Sequence, residues 1–243
     1  IVSCANNVTV AMDALTCHAA LPDLTDRVVA TDNCCCASIS QIPAPGVMVV
    51  VGEWPVVLIA TDTLGLTTWC LVYVTVADRS APVITVCPGP QLLKADGACQ
   101  AVLPDYTALV AATDCSLFTM AQYPAAGATL FGNSTSLVSV VVTDLGGLSA
   151  TCTVTVVVED LTPPAMNCPA PQVVTVNTQT CEVLIPDFVA LVGATDNCGP
   201  VTVTQVPPSG TPMGVGQTNV VVTATDLAGN ITGAQYVVDG GRT

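Results

Sequence analysis

Short apolar runs recur along the chain: "VMVVV" at 47–51, "VVLIATD" at 56–62, "LVSVVVT" at 137–143 and "NVVVTATD" at 219–226. They are rich in β-branched residues and broken by Gly, Pro, Asp and Thr, so they read as strands. No segment shows a helical period, and no run approaches the ~20 residues that a membrane-spanning helix needs. The pattern is clearest near the C-terminus, where "QVVTV" (172–176), "CEVLIP" (181–186), "VTVTQVP" (201–207), "NVVVTATD" (219–226) and "QYVVD" (235–239) are separated by turn residues. "DLAGN" (226–230) supplies the tight turn between the last two strands. Short strands at this spacing predict an all-β fold, a β-sandwich of the immunoglobulin or fibronectin type III kind.

The pattern repeats. Asp62, Asp144 and Asp226 each close a β-branched run, and 82 residues separate each from the next. Cys4, Cys87 and Cys168 follow at spacings of 83 and 81. "ATDNC" at 30–34 returns as "ATDC" at 112–115 and "ATDNC" at 194–198, and "ALPDLT", "VLPDYT" and "LIPDFV" align at 20–25, 102–107 and 184–189. Several independent features share one period, the signature of tandem modules. The expectation is three β-sandwich modules in a linear array, at 1–80, 81–162 and 163–243.

The third copy opens "TPPAMNCP" (162–169) and runs through "ATDNC", "QVPPSG" (205–210) and "TATDLAGN" (223–230). This resembles the hyalin repeat, or HYR module, and the resemblance extends over all three copies, closest in the third. It implies extracellular, immunoglobulin-like modules that serve adhesion and extracellular assemblies and carry no catalytic activity.

Composition narrows the partners. Only four residues are basic (Arg27, Arg79, Lys94 and Arg242) against 18 acidic ones, for a net charge of -14. Nothing here neutralises a run of phosphates, which excludes nucleic acid and disfavours anionic membranes. Charged residues make up 9% and apolar ones 51%. A surface so poor in charge needs another cover, from glycan or from neighbouring copies. Without a recognisable signal peptide, the sequence reads as a mature or excised product. Thirteen cysteines indicate an oxidising compartment, so the chain is expected to be extracellular, either secreted or at the cell surface.

The expected framework is four cysteines per module, as in the second (Cys87, Cys99, Cys115 and Cys152), and four allow three pairings. The expected pairing joins neighbours: Cys4–Cys17 and Cys34–Cys70, Cys87–Cys99 and Cys115–Cys152, then Cys168–Cys181. In the third module the position eight residues after Asp226 is Ala234, where Asp62 and Asp144 are followed by Cys70 and Cys152. Cys198 is then an orphan, and Cys35 and Cys36 are surplus. Two readings stand open for them: a buried thiol beside a strained vicinal pair, or an intermolecular bridge from Cys198 of one copy to the triplet of another.

The joints match the ends. Asp160 precedes Cys168 by eight residues and Asp78 precedes Cys87 by nine; joining Asp239 to Cys4 of a second copy gives eight again. A window of a longer array and a stack of separate molecules both satisfy this match. Either is an open head-to-tail object of the kind that builds filaments. The expected function is a structural subunit of an extracellular fibre whose partner is itself. The alternatives are an adhesion module that binds carbohydrate or a cell-surface protein, and the ectodomain segment of an enzyme or receptor.

Other chemistry is sparse. Sequons at Asn7, Asn133 and Asn230 are candidates for N-linked glycan, the latter two at expected turns. Acidic residues gather at the joints (Asp78, Glu159, Asp160 and Asp239) and at the "ATD" corners (Asp32, Asp114 and Asp196). Calcium between modules is conceivable on that basis, and turn capping is the favoured reading, because no dense Asp-x-Asp loop is present. No cofactor is therefore expected. The one histidine, His18, has no nucleophile spaced for it, and Trp54 and Trp69 are expected to pack in or around the core.

Overall fold

Alternation builds the strands. Along Gly52–Thr61 the side chains of Val56, Leu58 and Ala60 are buried, and along Thr67–Ala77 those of Val72, Val74 and Val76. A period of two sends one face of each strand to the core. The computed structural model describes residues 1–33, 38–169, 174, 179, 182–214 and 216–241. The protein is all-β; among the described residues the only helical segments are two 3₁₀ turns, Thr25–Arg27 and Thr107–Leu109.

The chain divides into two compact units. One comprises residues 1–88, 106–123 and 139–153. Its main sheet has the order Val8–Ala11, Thr67–Ala77, Gly52–Thr61, Ser38–Ile42. The outer strand Val8–Ala11 pairs in parallel with the last strand, Val8 opposite Val74. The Gly52–Thr61 and Thr67–Ala77 pair is antiparallel, with Leu58 opposite Cys70. Leu21, Leu24, Val49, Val56, Leu58 and Val72 form the centre of the core beneath this sheet.

The other unit comprises residues 89–105, 124–138 and 154–243. Thr202–Val206, Gly216–Thr225 and Ile231–Gly240 form an antiparallel sheet in that order. Four of the strands expected near the C-terminus, at 181–186, 201–207, 219–226 and 235–239, overlap described strands, the first only at Val183–Leu184; the fifth, at 172–176, lies largely outside the described residues. The "DLAGN" turn closes with the Asp226 N–H donating to the Asn230 carbonyl, and Gly229 takes a φ of 89° there. Val183, Ile185, Phe188, Val220, Val222 and Val238 make the core, where the Phe188 ring stacks on Tyr236 at 4.7 Å between centroids.

One polar device recurs beneath the sheets. Each Pro-Asp loop is followed by a buried residue: Leu24, Tyr106 and Phe188. Its backbone N–H donates to the side-chain oxygen of a strand glutamine, Gln41, Gln122 or Gln205, at 2.9, 2.6 and 2.9 Å. Gln41 and Gln205 also donate their amides to the carbonyls of Pro22 and Pro186. A loop that runs under a sheet must satisfy its backbone groups without a strand partner, and one amide side chain satisfies two of them.

One packing expectation is corrected. Trp69 is 67% exposed, on the outward face of its strand beside Leu71 and Tyr73, because alternation assigns the odd positions of Thr67–Ala77 to solvent. Trp54 lies at the rim, its indole N–H donating to the Val50 carbonyl.

Candidate functional site

The cysteines do not pair with their neighbours in sequence. The bridges are Cys4–Cys70, Cys17–Cys115, Cys87–Cys152 and Cys99–Cys198, so the expected Cys4–Cys17, Cys87–Cys99 and Cys115–Cys152 pairs do not form. Cys34–Cys70 is excluded because Cys4 occupies Cys70. Cys34, Cys35, Cys36 and Cys181 lie outside the described residues, and Cys168, the expected partner of Cys181, is an exposed free thiol. The orphan is thus Cys168 and not Cys198, whose sulfur is bound within the chain.

Strand register explains the first class of bridge. Val8 faces Val74 in a parallel ladder, an offset of 66, and Cys4 and Cys70 are also 66 apart, four residues upstream on both strands. Gln91 faces Val156 at an offset of 65, and Cys87–Cys152 repeats that offset, again four residues upstream. Each bridge therefore continues a parallel register. The same position for Cys168 is Ala234, which stands opposite Val222 as Cys70 stands opposite Leu58. An alanine there leaves Cys168 without a partner.

The second class reaches further, over 98 and 99 residues. Cys17 and Cys99 both adopt a φ of 58°, in tight turns closed by Cys17 N–H to the Asp13 carbonyl and Cys99 N–H to the Asp96 carbonyl. The left-handed backbone is uncommon for a non-glycine residue. Their partners, Cys115 and Cys198, directly follow the aspartate and asparagine of the "ATD" corners. Asn197 adds a hydrogen bond to the Asp96 carbonyl beside the Cys99–Cys198 bridge. Gly132 makes room for that bridge: a Cβ there would meet Cys99 Sγ at 2.5 Å and Cys198 Sγ at 2.9 Å.

Carboxylates gather beside these bridges. Asp78, Asp114 and Asp144 bring one oxygen each to within 4.8 Å of the others, and Asp160 and Asp196 approach Cys198 in the same way. Asp78 Oδ1 accepts from the N–H and hydroxyl of Ser80, and Asp114 Oδ2 accepts both donors of Ser116. Burial works to raise the Asp78 carboxyl, and hydrogen bonds, led by Ser80, outweigh it and hold the group below its ordinary value. Asp226 shows the same balance, with Asn230 as the main donor against burial.

The sequons differ in what they leave free. Asn7 and Asn133 are exposed and use their side-chain oxygens, accepting the N–H groups of Tyr73 and Asp160. Asn230 commits its amide nitrogen, the atom a glycan would modify, to the Asp160 carbonyl at 3.0 Å and to Asp226 Oδ2 at 2.9 Å. His18 Nδ1 meets the Thr16 carbonyl within its own turn, a structural contact.

Comparison with known proteins places part of the chain. Residues 159–239 match the HYR domain, a non-enzymatic, adhesion-type module of extracellular proteins. No curated protein sequence matches the chain. Among solved structures it is similar to domains EC22–24 of mouse cadherin-23, at 14% identity and a TM-score of 0.40 over 99% of this chain and 96% of that one. It is also similar to immunoglobulin domains 1–4 of sidekick-1, at 12% identity and a TM-score of 0.37 over 100% and 75%. For protocadherin gamma B7 domains 1–4 the figures are 16% and 0.30 over 77% of this chain, which spans 57% of that one. Among the described residues no helix is long and apolar enough to cross a membrane.

Proposed function

We propose that the chain is a structural subunit of an extracellular fibre, a row of three HYR-like modules (1–80, 81–162 and 163–243) joined head to tail to further copies. One observation carries this reading. Cys17–Cys115 and Cys99–Cys198 tie the second cysteine of one sequence repeat to the third cysteine of the next. Each staple therefore joins one repeat to the next, the connection through which a fibre would bear load. A module that only binds a partner has no need to be fastened to its neighbours in this way.

The same rule revises the intermolecular link. Cys181 is the second cysteine of its repeat, as Cys17 and Cys99 are of theirs. Cys34 is the third cysteine of its repeat, as Cys115 and Cys198 are of theirs. The link is Cys181 of one copy to the Cys34–Cys36 triplet of the next, in place of a link through Cys198. Glycan at Asn7 and Asn133, whose amide nitrogens are not held as that of Asn230 is, would cover the apolar surface that charge does not. Oxidised protein run without reductant should give a ladder that collapses on reduction, with a cross-linked peptide joining Cys181 to the triplet and filaments in negative stain. Monomer in both lanes at high concentration, with Cys181 alkylated quantitatively, refutes the assembly.

A second reading, adhesion, draws on the outward Trp69, which is 67% exposed in line with Leu71 and Tyr73. An aromatic stripe of this kind suits the apolar face of a sugar ring. Glycan-array binding lost in Trp69→Ala, with no filaments formed by the parent chain, would favour it over assembly.

A further inference from the structure

We propose that Asp78, Asp114 and Asp144 form a binding site for a calcium ion. Their nearest oxygens lie within 4.8 Å of one another, and two oxygens that share one calcium at about 2.3–2.6 Å stand at most about 5 Å apart. The ligand set is all carboxylate, the choice of a hard cation and not of zinc or copper.

Proximity of acids does not make a site; the unpartnered oxygens do. Asp144 is only 6% exposed. Its Oδ1 accepts the Leu148 N–H at 2.8 Å, while its Oδ2 is buried with no hydrogen-bond partner. Asp78 Oδ2 is buried and unpartnered in the same way. A carboxylate oxygen sealed from water without a donor carries the desolvation cost of its charge, and a cation between the three groups removes it. Asp114 supplies the access route, since it lines an open cleft of about 190 Å³ together with Ser80, Ala81 and Thr113.

A second set of acids allows a comparison at the Asp144 position. Moving each residue forward by 82 gives Asp160, Asp196 and Asp226. There Asn230 donates its amide to Asp226 Oδ2 at 2.9 Å and to the Asp160 carbonyl at 3.0 Å. The position equivalent to Asn230 in the earlier set is Leu148, which has no donor in its side chain. In this second set the amide closes Asp226 Oδ2, while Asp160 Oδ2 and Asp196 Oδ2 stay buried without a hydrogen-bond partner; in the first set Asp144 Oδ2 has no such donor. The third ligand atom near Asp160 and Asp196 is Cys198 Sγ, which its disulfide makes a poor ligand.

The test uses the whole oxidised chain, stripped with chelator and titrated with calcium chloride by calorimetry, with terbium luminescence as a second reading of the same site. One calcium per chain is expected, together with a melting temperature that rises with calcium. Asp144→Asn should weaken binding by roughly tenfold or more, because affinity follows the ligand charge count. Leu148→Asn keeps all three carboxylates and imports the amide of the other set; Leu148 is 37% exposed, so the fold tolerates the exchange, and binding should fall comparably. Asp62→Asn, at the same repeat position outside the cluster, should bind as the parent does. A parent chain that binds no calcium at millimolar concentration overturns the proposal. So does preference for magnesium, or a Leu148→Asn variant with unchanged affinity. The proposal stands apart from fibre assembly, since a monomer would show the same site.

Discussion

Gly132 and the Cys99–Cys198 bridge form a pair whose coupling can be calculated and measured. A Cβ on residue 132 would sit 2.5 Å from Cys99 Sγ, 2.9 Å from Cys198 Sγ and 3.3 Å from Ala95 Cβ. The first two distances lie inside van der Waals contact, and a disulfide cannot swing aside as a free side chain can. Gly132→Ala should therefore cost about 1–3 kcal/mol as overpacking. Replacing both cysteines by alanine opens a loop of 99 residues, worth about 4.7 kcal/mol by chain entropy. The two losses should not add. Without the sulfurs the new methyl group keeps only the 3.3 Å contact with Ala95 Cβ, and the lower entropy of an unfolded alanine makes Gly132→Ala close to neutral or stabilising by up to about 1 kcal/mol. Urea unfolding followed by far-ultraviolet circular dichroism is the assay. Trp54 and Trp69 both lie in the other unit, so their fluorescence would not report the change. An equal cost for Gly132→Ala with and without the bridge would refute the reasoning, because the glycine would then serve its own backbone.

Other consequences are direct. Gln41→Leu strands the Leu24 N–H and the Pro22 carbonyl beneath the sheet, and should lose about 1–3 kcal/mol in urea unfolding followed through Trp54. Ala234→Cys should capture Cys168 and close a loop of the same 66-residue span as Cys4–Cys70; the expected gain approaches 4 kcal/mol, with loss of one alkylatable thiol by mass spectrometry. Asp78 and Asp226 are both held below the ordinary value of 3.8. Their stabilisation is complete above that pH and is lost as the pH falls below it towards their folded values; melting temperature scanned downward from pH 5 should hold until the ordinary carboxylate value and then fall, and should fall less steeply in Asp226→Asn than in the parent.

Much of the fold was legible because it follows from short-range rules. The 82-residue period, the β-branched runs and the "DLAGN" turn are properties of contiguous residues, and the structure places strands and turn where they indicate. Pairing of cysteines was not legible in that way. Cys4 and Cys17 lie close in sequence, yet the parallel ladder between Val8–Ala11 and Thr67–Ala77 sets Cys4 against Cys70. A parallel register leaves no mark in spacing until the two strands are known to pair. The glutamines were missed for the opposite reason. Gln41, Gln122 and Gln205 recur in "SISQI", "TMAQY" and "TVTQV", and a polar residue returning at one position of an apolar strand is a signal for a buried hydrogen bond. The joint acids were seen as residues and undervalued as a site, since which oxygens lack a donor is decided by side-chain geometry alone.

The bridge pattern has a mechanical consequence that neighbour pairing would not have. Bridges closed within each repeat would leave every joint free to extend. The observed bridges overlap: Cys4–Cys70 encloses Cys17, Cys17–Cys115 encloses Cys87 and Cys99, and Cys99–Cys198 encloses Cys115 and Cys152. A pulled chain can follow the backbone from Ile1 to Cys4, cross to Cys70, run to Cys99, cross to Cys198 and continue to the end. That path holds about 77 backbone steps, so at about 3.4 Å per residue the oxidised chain is taut near 260 Å, against about 820 Å once reduced. Most of the slack that remains lies beyond Cys198, in the stretch where Ala234 stands in the place of a cysteine. In the proposed fibre, a bond from Cys181 to a further copy would remove much of that slack.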